Sequence, residues 1–120
     1  MISRAHRFHG RGSLNFVHQN GRTIRGPLGN LKYSLNRRRK SYRLAVVVSK
    51  KISKSAVVRN RIRRRIFEIV RLHQDVLLLP YDMVYVVFDI RVATMPAVEL
   101  QVAIQKQLQV MVAQAEKPSS

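Results

Sequence analysis

Residues 56–71 read "AVVRNRIRRRIFEIVR": six arginines and one acid laid over an apolar repeat. At about 100° per residue, Val58, Ile62, Ile66, Ile69 and His73 fall within roughly 40° of one line down a helix. Arg64 and Arg71 fall on the opposite side with Asn60, and Arg61 and Arg63 lie on the two flanks. The spacing predicts a helix that starts near Ser55 or Ala56, buries one stripe and shows a basic face. Such a helix needs a surface to lie on, so the segments around it decide the fold.

Those segments read as strands. "YRLAVVVS" at 42–49 is a β-branched run, expected as a central strand, and "KKISKS" links it to the helix. "DMVYVVFDI" at 82–90 is almost continuously apolar, the pattern of a strand covered on both faces. From Thr23 to Asn36 the chain turns extended: Pro27 implies an edge or a bend, and Leu31, Tyr33 and Leu35 alternate with Lys32 and Ser34 as in a half-buried strand. "NRRRK" at 36–40 is expected as a charged hairpin loop. Upstream, Ser13 suits the N-cap of a short helix, "LNFVHQN", closed by Gly21. Pro96 opens a last helix on which Ala97, Leu100, Ile104, Leu108, Met111 and Ala115 recur at three- and four-residue steps, with Gln and Glu on the other side. Helix, two or three strands, basic helix, strand, helix is the order of an α+β two-layer sandwich, αβββαβα, with helices on a mainly antiparallel sheet of about four strands.

The 120 residues leave room for one core. The expected division is a basic arm over 1–12, a single domain over 13–115 and a frayed tail over 116–120. Hydrophobic residues are 46% of the chain, within the globular range, so the charge sits on a folded body. The net charge of +17 is unevenly placed: residues 1–67 hold 19 Lys and Arg and no acid, whereas residues 68–120 hold 4 against 6 acids. An excess so concentrated needs a polyanion. A membrane surface would want an exposed Trp/Phe/Leu face, and the chain has no Trp and no long amphipathic arm. Cysteine is absent, which rules out disulfides and thiol catalysis and suits a reducing cytoplasm. "MISRAHRFHGRG" has no apolar run after its basic residues, so no signal peptide is expected. Runs such as "VLLLP" and "MVYVVF" are too short to span a bilayer. A cytoplasmic protein is the expectation.

Catalysis by this chain's side chains is not expected. Metal-assisted hydrolysis wants clustered carboxylates or His ligands, and Glu68, Asp75, Asp82, Asp89, Glu99 and Glu116 are scattered without a paired motif. His6 and His9 sit three apart on the arm without a third ligand, and His18 and His73 read as half-buried fillers. No glycine-rich phosphate loop or G-x-S-x-G occurs. Binding is the stronger signal. Lys50, Lys51, Lys54, Arg59, Arg61, Arg63, Arg64 and Arg65 place eight cations in sixteen residues with no acid among them. A merely solvated face would mix signs at i,i+4; here Glu68 stands alone, within reach of Arg64 or Arg65. Arginine favours bidentate phosphate contacts and stacking on bases. Asn60 can hydrogen-bond a base edge or a sugar 2′-OH, or is simply accommodated. Phe8, Phe16 and Tyr33 lie in the acid-free half, where bases could stack on them; Phe16 and Tyr33 read equally well as core.

"SKKISKSAVVRNRIRRRIFEIVR" at 49–71 resembles the signature of the bacterial ribonuclease P protein family. Ser49, Lys51, Ala56, Val57, Arg59, Asn60, Arg61, Arg63, Arg64, Glu68 and Arg71 match its pattern, as do "RF" at 7–8, Leu14, Val17 and Gly21 upstream and "YDMVYVVF" at 81–88 downstream. The departures are Arg65 where the family usually has an apolar residue, Phe67 where it usually has Arg, Leu14 for a Phe, and a longer "ISKS" turn. The resemblance implies a ribosomal-protein-domain-like fold with a left-handed βαβ crossover. It implies binding of a catalytic RNA subunit through Lys50, Lys51, Lys54, Arg59, Asn60, Arg61, Arg63, Arg64 and Arg71. It also implies a cleft between the first helix and the sheet that receives the 5′ leader of precursor tRNA, for which the candidates are Phe8, Leu14, Phe16, His18 and Tyr33. Cleavage would belong to the RNA and its Mg2+, with no cofactor on protein side chains, no membrane and no small-molecule substrate. Two other readings fit the charge: a ribosomal or RNA-chaperone protein without an enzymatic role, and a DNA-binding module. The second expects a helix-turn-helix, whereas this basic helix sits between strands.

Overall fold

The computed structural model describes residues 16, 17 and 19–116, so the expectations for the arm 1–12 and for 117–120 lie outside the described residues. Residues 16, 17, 19 and 20 are helical, and the segment ends where the Gly21 amide donates to Val17 O at 2.8 Å. Gly21 is there for space: a Cβ would stand 2.5 Å from Val17 O and 2.8 Å from Tyr33 O. Four strands follow, β1 (Arg22–Arg25), β2 (Gly29–Leu35), β3 (Arg43–Val47) and β4 (Tyr81–Val87), with α1 (Ala56–Leu72) between β3 and β4 and α2 (Ala97–Glu116) after β4. Single 3-10 turns at Gln74–Val76 and Ile90–Ala93 flank β4.

The sheet order is β1-β2-β4-β3. β1 and β2 form a hairpin, β2 and β4 are antiparallel, and β3 and β4 are parallel neighbours joined through α1. Two expectations are thereby corrected. β3 is an edge strand, not a central one: its residues alternate half-buried and buried, so its β-branched run covers one face only. Residues 36–40 do not close a hairpin, because β4 lies between β2 and β3. The loop crosses the start of β4, where the Asn36 amide donates to Pro80 O at 3.0 Å.

β4 is covered on both faces, as its apolar run predicts. Tyr81, Met83, Tyr85 and Val87 face the main core, with Ile62, Ile66, Ile69 and Val70 of α1 and Leu100, Ile104, Leu108 and Met111 of α2. Strand alternation turns Val84 to the opposite face, and it is fully buried outside that core. On α2 the predicted stripe holds except that Ala97 is exposed and Gln107, expected on the polar side, is buried. Gln107 Nε2 donates to Ile24 O at 3.1 Å and Gly29 O at 3.0 Å, and its Oε1 accepts from the Tyr85 hydroxyl at 2.7 Å. One amide thus joins both strands of the hairpin to β4, and no polar atom of the trio is left unmatched in a site where that would cost about 1–3 kcal/mol. Burial pushes the Tyr85 hydroxyl pKa well up, so it stays a donor.

Candidate nucleic-acid interface

The basic surface begins in the loop after β3. Val48 is buried and Ile52 half-buried, and the Ile52 amide closes a turn on Ser49 O at 3.1 Å. With the apolar pair turned inward, Lys50, Lys51 and Lys54 are left exposed. Ser55 then caps α1, its hydroxyl accepting from the Val58 amide at 3.3 Å. No acid stands in the first turn of the helix, so the positive helix end adds to the cations around it instead of being offset.

The arginines of α1 divide by what they touch. Arg61 and Arg64 are exposed, as is Asn60. Arg63 is half-buried and donates to Asn60 Oδ1 at 3.1 Å, which gives Asn60 a task within the helix face. Arg59 folds back to donate to Ser53 O at 3.0 Å and Lys54 O at 3.2 Å, fixing the loop that displays the lysines. Arg71 pairs with Glu68, through Nε at 3.2 Å to both carboxylate oxygens and through a closer Nη2 contact. That bond holds the Glu68 pKa down to about 2. Glu68 was expected to reach Arg64 or Arg65; its partner is Arg71, one turn further on.

Arg65 and Phe67, two of the departures from the family pattern, also resolve. Arg65 Nη1 donates to Val92 O at 2.7 Å and Nη2 to Met95 O at 2.5 Å, so its charge satisfies the carbonyls of the 3-10 turn before α2. Phe67 packs half-buried against the core. Neither belongs to the exposed basic face.

A second basic feature lies at the far end of the sheet. Phe16, Ser34, Leu35, Asn36, Arg37, Arg38 and Asp82 line an open groove of about 720 Å³. On its floor Arg43 grips Asp82 through Nε–Oδ1 and Nη2–Oδ2, both 2.8 Å, with side chains only 12% and 6% exposed. Asn36 donates to the same carboxylate at 3.1 Å and accepts from the Arg38 amide at 3.2 Å. Of the leader-cleft candidates, Phe16 borders this groove and is 57% exposed. Tyr33 does not reach it. Its ring is 4% exposed and turned to the core, edge-on to Tyr81 at 6.2 Å, with its hydroxyl donating to Gln114 Oε1 at 3.0 Å. Leu31 and Tyr33 share one strand face, and that face is the one the helices cover. Phe8, Leu14 and His18, like His6 and His9, lie outside the described residues.

The Arg43–Asp82–Asn36 network escaped the sequence reading, although a lone Asp inside the apolar run "YDMVYVV" is a signal that a buried charge must find a partner. Asp89 likewise pairs with Arg91, which lowers its pKa. Three acids are thus matched to arginines, while Lys50, Lys51, Lys54, Arg61 and Arg64 face solvent. Among the described residues there is no group of three or more His, Cys, Asp or Glu that could hold a metal ion. No helix among them is long and apolar enough to cross a membrane.

The "Ribonuclease P" family model matches residues 2–112. The ribonuclease P protein component of Roseiflexus castenholzii is 36% identical over 108 residues, covering 90% of this chain and 87% of that protein. Its counterpart from Chloroflexus aurantiacus is 39% identical over 100 residues, covering 83% and 73%. Among solved structures, the Staphylococcus aureus RNase P protein superposes with a TM-score of 0.78 at 22% identity, covering 90% of this chain and 96% of that one. The Thermotoga maritima protein gives 0.76 at 19% identity, covering 86% and 94%. These structures share the fold.

Proposed function

Since the chain belongs to the ribonuclease P protein family, we propose that it is the protein subunit of a ribonucleoprotein endonuclease that removes the 5′ leader of precursor tRNA. The reading is carried by one observation: Lys50, Lys51, Lys54, Arg61 and Arg64 face outward with no acid among them, while Glu68 is occupied by Arg71. Such a surface repels itself in the free protein and is relieved by phosphates. It docks the RNA subunit, with Arg61, Arg64 and the lysines meeting phosphate and Arg59 and Arg63 holding loop and helix face in shape. The 5′ leader lies along the sheet face bordered by Phe16. Hydrolysis, with the Mg2+ it uses, belongs to the RNA, and the protein acts by raising affinity for precursor and metal. The cytoplasm is where these partners would meet.

Reconstitution tests the reading. The protein mixed with the organism's candidate RNA subunit is expected to restore 5′ maturation at low magnesium, and the protein alone to cleave nothing. Cleavage by the rigorously purified chain without RNA, or failure to bind structured RNA at physiological ionic strength, would overturn it.

A further inference from the structure

Within that reading, and resting on it, we infer that Arg37 and Arg38 form a second phosphate clamp, which holds the far part of the single-stranded leader as it leaves the groove beside Phe16. The loop that carries them is built, not loose. Asn36 is fixed through four bonds: its amide to Pro80 O at 3.0 Å, its side-chain NH2 to Asp82 at 3.1 Å, its Oδ1 from the Arg38 amide at 3.2 Å and its carbonyl from the Arg39 amide at 3.0 Å. Asp82 is in turn held by Arg43 on both oxygens. Asp82, the one acid among the described residues that line the groove, is therefore neutralised by its partners, while Arg37 and Arg38 stand exposed at its rim.

The ligand follows from the lining. Two adjacent arginines suit phosphate oxygens. The exposed Phe16 ring offers a stacking surface to an unpaired base, and Ser34 adds a hydroxyl. A duplex keeps its bases stacked inside and would leave that ring unused, so the groove fits a single strand. Position fixes which part of the leader arrives. Residues 37–40 precede the N-terminal end of β3, and Lys50, Lys51 and Lys54 follow its C-terminal end. At about 3.3 Å per strand residue the two clusters stand roughly 20 Å apart. With the catalytic RNA docked on the lysine loop and α1, leader nucleotides must run along the sheet before they meet Arg37 and Arg38.

The test uses reconstituted holoenzyme and precursors whose leaders are lengthened stepwise. Wild-type affinity is expected to rise with leader length and then level off. Arg37→Ala/Arg38→Ala should remove the last increment, giving several-fold weaker binding of the longest leaders and a progressively smaller loss on shorter ones. Its salt dependence on long leaders should flatten by about 0.7 log–log units per phosphate contact removed. Asn36→Ala keeps the charges but frees the loop, and should show the same length signature in weaker form. Equal loss at every leader length, or an unchanged salt slope, overturns the clamp. Failure of wild-type protein to assemble with the RNA would sink the proposed function instead, so the two failures are told apart by the wild-type arm.

Discussion

Arg43 and Asp82 meet as a bidentate pair on the sheet face opposite the main core, both nearly buried and joined by two bonds of 2.8 Å. Removing one member strands the other's charge. Arg43→Met is expected to destabilise the protein by about 3–5 kcal/mol in urea unfolding, and Arg43→Met/Asp82→Leu to recover most of it. A single-variant loss below about 1 kcal/mol would mean that the pair behaves as a solvated one.

Arg65 and Arg64 are neighbours with different duties. Arg65→Met removes two charge-assisted bonds to Val92 O and Met95 O, and should cost about 2–3 kcal/mol of stability. Its salt slope for RNA binding should equal the wild type's. Arg64→Ala and Arg61→Ala should do the reverse, with stability near wild type and a slope flattened by about one unit. Titrating binding against salt, beside thermal melts, separates the two behaviours.

Tyr33 is a core residue that hydrogen-bonds Gln114. Tyr33→Phe should lose about 1 kcal/mol and leave discrimination between precursor and mature tRNA intact. Tyr33→Ala should cost about 3–5 kcal/mol, as large aromatic truncations do. A selective loss of precursor affinity in a fully folded Tyr33→Phe protein would return the side chain to the leader cleft.

Glu68 is held by Arg71 at a pKa of about 2, below its ordinary value. A depressed carboxylate stabilises the fold above its unfolded pKa, and that contribution fades as pH falls toward the folded value. The Tm gap between wild type and Glu68→Gln should therefore be constant from pH 7 to about 5, and shrink below about pH 4. A gap that widens on acidification would contradict the pairing.

Much of this was legible in the chain. The period of Ile62, Ile66 and Ile69, the helix start near Ser55 or Ala56 and the unbroken run of β4 each carry their own local signal, and the structure follows them. What escaped was set by distant partners. β3 reads as central because Val46 and Val48 are β-branched, yet strand order depends on where α1 returns the chain. Tyr33 sits equally well on either face until its neighbours across β4 are known. Arg65 looks like one more surface cation until Val92 and Met95 present their carbonyls 27 and 30 residues later. The basic face was visible because charge excess is additive along a chain, whereas the Asn36–Asp82–Arg43 network joins residues up to 46 positions apart.

Among the described residues the sheet ends on both sides in strands with no further neighbour, β1 and β3. Bare edges invite another copy to add its own strand. β1 carries Arg22 and Arg25, exposed, and Lys50 and Lys51 stand exposed shortly after the end of β3. Two molecules approaching edge to edge therefore bring like charges together before any backbone bond can form. That positive charge is a guard against self-stacking, and it weakens as salt screens it. Ionic strength thus sets how long the unbound polypeptide can be kept in solution.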